Sequence, residues 1–338
     1  MRKITAVVLA VGLMGGLVVG CGAPSEKKVA EQLETHKEHL DTSNYKSTAT
    51  MTVQMDNNSQ SYYVETWYES PDVYRIALGD ANKTIHQIIV HNKSGMFIVS
   101  PSLGKVFRFT GNWAQNQGHI YLYDQILQQI ISSKTVKMAK SSGQYTFDLP
   151  ISPANDVVVK EHVEIDAKTL NPQTVSLLDK NAKAVVTIQF NSFKTGLTFN
   201  EGDFDPQKLI NVADTKQASR TTMAADETVG SIEPDRTFGA TLTVNETTPD
   251  NAQLLRYTGD KSFTLEEWRA MAGFSGLPSV AMAALVDMYG VPAMYNAGNN
   301  AHQLTWLNNG VEFSLTSANL SMDQMEQVAI STLGQVGK

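Results

Sequence analysis

A single cysteine stands among the 338 residues, so no intramolecular disulfide can form and stability must come from a buried core. Charged residues make up only 18% of the chain, and no run of Lys and Arg occurs. Formal charge is −7, falling to −9 if Arg2 and Lys3 leave with an N-terminal leader. Such a surface excludes a nucleic-acid partner, whose phosphates need clustered cations. The sequence also lacks a G-x-S-x-G elbow, a Gly-rich phosphate loop and an H-E-x-x-H helix. Its seven histidines are scattered, and His36 and His39, at a spacing that can hold a metal, have no third ligand nearby. Catalytic groups come as constellations, and none is visible here. The expected class is therefore a binding protein and not an enzyme, with no metal and no cofactor.

Hydrophobic runs are short as well. The longest, Ile4 to Val19, follows Arg2-Lys3 and falls short of a comfortable membrane span. It has the form of a secretory signal, and it ends in Val18-Val19-Gly20-Cys21. Small residues before a lone Cys form a lipobox. Residues 1–20 are expected to be removed as a lipoprotein signal peptide, and Cys21 to carry diacylglycerol. That places the mature chain on the extracytoplasmic face of the cell membrane, held there by its lipid.

What the chain has in quantity is β-sheet sequence. From Tyr62 to Phe109, runs of β-branched and aromatic residues are cut by Ser70-Pro71, Gly79-Asp80, Asn92 to Gly95 and Pro101 to Gly104. Tyr62, Val64, Thr66 and Tyr68 share one face of a strand, and Tyr74, Ile76 and Leu78 one face of the next. Tyr45 to Met55 alternates in the same way. The order W-Y-x-x-P-x-x-Y-R (Trp67 to Arg75), an I-I-V strand, a Ser-Gly turn, M-F-I-V-S-P, then Trp113 and Tyr121 to Tyr123, resembles the YdcC-type sporulation-associated lipoproteins of Gram-positive bacteria. These are similar in turn to the carrier LolA, the receptor LolB and the sigma-regulating RseB. The resemblance covers roughly residues 28–212. It implies a mainly β fold: a strongly curved antiparallel sheet, or incomplete barrel, with covering helices. It also implies a role in spore formation or germination beside an envelope or cortex-modifying enzyme. The carriers hold an Arg where this chain has Ser70, so their lock between lid and sheet is not expected here. An anchored protein cannot ferry cargo, which points to an adaptor or a receptor.

The remaining segments fit this frame. Ser25 to Leu40 predicts an amphipathic helix, with Val29, Leu33, His36 and Leu40 on one face. Ile120 to Ile131 predicts a second, with an apolar stripe of Leu122, Tyr123, Ile126, Leu127, Ile130 and Ile131. Strands are expected at residues 135–140, 144–149, 157–165, 174–178 and 184–193, about eleven in all from Tyr45 onward. The expected organisation is a LolA-like domain at 21–212, a linker at 213–236 and a small α+β domain at 237–338. In the last of these, Thr264 and Glu267 read as a capping box, as do Ser321 and Gln324. Val280 to Tyr289 reads as a buried helix stopped at Gly290. Asn309-Gly310 marks a hairpin.

A sheet lined with Met51, Met55, Trp67, Phe97, Phe107 and Phe109, under a helix presenting Leu122, Ile126, Leu127 and Ile130, is the candidate ligand or partner site. Two occupants are weighed, an envelope enzyme bound by an adaptor and an acyl chain held by a receptor. The Met-rich wall favours an open cavity.

Overall fold

The computed structural model describes residues 25–54, 59–101, 104–109, 119–141, 143–151, 157–200, 202–210, 230–269, 284–308 and 310–333. Residues 1–20, expected as a signal peptide, Cys21, Met55, Trp113 and most of the expected linker lie outside the described residues. Helix α1 spans Glu26–Asp41, capped by Ser25, whose hydroxyl accepts from the Lys28 amide. Eleven strands follow. They are β1 (Tyr45–Gln54), β2 (Ser59–Glu69), β3 (Val73–Gly79), β4 (Ile85–Asn92), β5 (Gly95–Ser100), β6 (Lys105–Phe109), β7 (Lys137–Ser141), β8 (Gln144–Pro150), β9 (Lys160–Asp166), β10 (Pro172–Leu178) and β11 (Ala184–Thr195). A short 3-10 turn, His119–Tyr121, and helix α2, Tyr123–Ser132, interrupt them after β6.

These strands form one antiparallel sheet in the order β6-β5-β4-β3-β2-β1-β11-β10-β9-β8-β7. The first strand joins the last, so two meanders meet at β1–β11, and the sheet stays open between β6 and β7. Register shifts at Thr48/Ala49 and at Leu177/Leu178 mark bulges, which increase local twist and bend a sheet. The mainly β, unclosed architecture is the one expected.

The sheet buries both faces, unequally. The inner face carries Tyr45, Met51, Val64, Tyr68, Ile76, Ile98 and their neighbours, and α1 and α2 cover it. The outer face carries Ala77, Ile88, Val90 and Val99 under Phe204 and Leu209 of the segment that follows β11.

The C-terminal part is a seven-stranded antiparallel sheet with one described helix. Its strands are β12 (Thr241–Thr247), β13 (Gln253–Thr258), β14 (Phe263–Arg269), β15 (Ala284–Met288), β16 (Val291–Ala297), β17 (His302–Asn308) and β18 (Val311–Ser317), in the order β12-β13-β14-β18-β17-β16-β15. Helix α3, Met322–Ile330, begins at the expected capping box of Ser321 and Gln324. The β17–β18 hairpin forms around Gly310 at φ 78°.

Two helical expectations are corrected. Phe263 to Arg269 is a strand, because pairing on both sides with β13 and β18 outweighs a local capping signal. Phe263, Leu265 and Glu267 alternate inward, the period of a strand. Of the run from Val280 to Tyr289, residues 280–283 lie outside the described residues. The remainder is β15 and Tyr289; Leu285 to Met288 are buried on both faces, and Gly290 follows in the turn between strands.

Candidate functional site on the inner face of the first sheet

The inner face is assembled by period-two alternation brought into register across strands. Met51 stands opposite Tyr62, Val64 opposite Leu78, Tyr68 opposite Tyr74, and Ile98 opposite Phe107. At one end Tyr45 stacks on Tyr68 at 4.8 Å and donates to Asp124 Oδ1 at 2.8 Å, which fastens α2 to the sheet. Burial pushes the Asp124 carboxyl up to about 6. Leu122, Ile126, Leu127 and Ile130 all turn inward and are buried, as are Met51, Phe107 and Phe109. Ser70, in the position where the carriers hold Arg, donates to the Asp41 carbonyl at 2.6 Å and so ties the β2–β3 turn to the end of α1.

The other end of the face is occupied by the second sheet. The β15–β16 turn, Tyr289–Gly290, enters beside Met51, Ile120 and Tyr121. A Cβ on Gly290 would stand 2.5 Å from Met51 Sδ and 2.7 Å from the Tyr121 hydroxyl. Its φ of 97° also belongs to glycine. Tyr121 donates its hydroxyl to the Gly290 carbonyl, and the Gly290 N–H donates to Asp287 Oδ1. Nearby, Tyr62 donates to Asn308 Oδ1 at 3.0 Å. The gaps left at Met51–Tyr62–Leu307 and at Ile98–Phe107–Trp306 measure about 20 Å³ each. That is room for a single water and far below the few hundred Å³ of a ligand site. Among the described residues, the space beside Met51 that the sequence suggests as an open cavity is occupied by α2 and the β15–β16 turn.

The inserted turn carries unusual electrostatics. Burial pushes Asp287 up to about 7, opposed by the Gly290 N–H. Burial, then the charges of Asp323 and Asp287, push Glu326 up to about 8. Among the described residues, Asp287 Oδ2 and Glu326 Oε1 are buried without a hydrogen-bond partner. Neither residue was singled out from the sequence, although one carboxylate within an apolar run just before Gly290 was the visible signal.

Residues 1–204 match the family model described as "Sporulation protein YdcC-like". The chain belongs to that family. Sporulation protein YdcC of Bacillus subtilis (strain 168) is 27% identical over 348 residues, covering 100% of each chain. Among solved structures, the MucA/MucB complex of Pseudomonas aeruginosa contains a chain 15% identical, with a TM-score of 0.32, covering 90% of this chain and 97% of that one. A LolA superfamily protein from Nitrosomonas europaea is 10% identical at a TM-score of 0.30, covering 54% and 98%. Scores of this size leave the fold resting on the strand order itself.

In this family member, two of the expected lining residues are on the wrong side. Trp67 and Phe97 lie on the outer face, opposite Met51. Trp67 stacks on Phe199 at 5.0 Å, with the Arg75 guanidinium 3.8 Å from its ring centroid. Its N–H donates to Glu65, which pairs with Lys46 at 2.8 Å. Phe97 borders an outer groove of about 900 Å³, together with Val73, Lys93 and Phe204.

The outer face also holds the nearest approach to catalytic chemistry. Asp148, His162 and Ser176 stand in one cross-strand row, and His162 Nδ1 lies 2.6 Å from Asp148. Ser176 Oγ meets Thr187 at 3.4 Å, and His162 Nε2 lies 3.6 Å from Glu164. The serine has no bond to the imidazole that would activate it. Among the described residues, no group of three His, Cys, Asp or Glu is placed to hold a metal ion. No described helix is long and apolar enough to cross a membrane.

Proposed function

We propose that this protein is a non-catalytic adaptor of sporulation or germination, anchored through Cys21 on the extracytoplasmic face of the membrane, which holds an envelope enzyme. The observation that carries this is the filled inner face: the space where a lipid carrier would keep an acyl chain is taken by α2 and by the β15–β16 turn of the chain itself. A lipid receptor would need that turn withdrawn, breaking the Tyr121–Gly290 and Tyr62–Asn308 bonds. With the interior closed, recognition falls to the surface, where the outer groove at Phe97 offers aromatic side chains beside Lys93 and Lys208. Family membership supports the developmental setting. The test is photo-crosslinking in sporulating cells from a reactive amino acid at Lys93. A single cell-wall hydrolase as the adduct fits the adaptor. Lipid adducts alone, or no adduct at any stage of sporulation, count against it.

A further inference from the structure

We draw no further inference here: the strongest candidate, the polar outer face of β10, β11, β1 and β2, where the hydroxyl pairs Ser176–Thr187, Thr48–Ser192 and Thr52–Ser61 bond across neighbouring strands, is an exposed sheet surface, and nothing in the structure shows what covers it.

Discussion

Replacing Gly290 with alanine tests whether the β15–β16 turn truly occupies the mouth of the first sheet. The new Cβ would lie 2.5 Å from Met51 Sδ and 2.7 Å from the Tyr121 hydroxyl, both closer than carbon tolerates. The backbone, at φ 97°, is strained for any residue with a Cβ, by about 1–3 kcal/mol. Overpacking adds about 1–3 kcal/mol. Gly290→Ala should thus lose about 2–6 kcal/mol in urea unfolding, the sum of these two effects. Met51→Ala alone empties a fully buried site and should cost about 2–5 kcal/mol. The decisive quantity is their coupling. If the two positions touch, removing Met51 relieves the clash, and the double variant should be more stable than the sum of single losses by about 1 kcal/mol or more. Additivity within about 0.5 kcal/mol refutes the insertion.

Leu127→Ala and Ile130→Ala should each cost about 2–5 kcal/mol in urea unfolding, as truncations in a packed core do, with partner binding per folded molecule retained; a loss below about 0.5 kcal/mol would mean the helix face lines open space. Asp287 and Glu326 are both raised in the folded state, to about 7 and about 8, so the folded protein holds their protons more tightly than the unfolded chain. Their contribution to stability is full below the ordinary carboxylate range and is lost as pH rises through those folded values. The thermal midpoint should therefore fall between pH 5 and pH 8.5 (assay values on the order of the shifts). Asp287→Asn/Glu326→Gln should flatten that fall and raise the midpoint at the alkaline end, and an unchanged slope would sink the assignment. Cys21→Ala should leave an uncleaved or mislocalised precursor, read by membrane fractionation and lipid labelling. Limited proteolysis should cut first between residues 213 and 234, the compositional break in the sequence between the two sheets.

The first sheet was legible because its strands alternate. Every strand from Tyr45 to Phe193 was anticipated, and α1, α2 and α3 began within a few residues of their expected starts. The same alternation that gathers Tyr62, Val64, Thr66 and Tyr68 on the inner face puts Trp67 on the outer one, so Trp67 cannot line the inner face. The second sheet was harder to read. Phe263 to Arg269 carries an N-terminal helix signature, and pairing with β13 on one side and with β18, some fifty residues on, on the other makes it a strand. Long-range pairing of that kind leaves no local trace. The filled inner face was likewise invisible, since it depends on one glycine, Gly290, meeting Met51 more than two hundred residues away.

An inner face closed by the chain itself should hold no lipid. Native mass spectrometry of the full-length protein, purified from its own membranes in mild detergent, tests it most directly. The expected result is one species at the mass of the chain plus the lipid proposed on Cys21, unchanged in Leu127→Ala. A further acyl-lipid mass retained one-to-one, and lost when Leu127 or Ile130 is truncated, would contradict it and make the protein a lipid receptor.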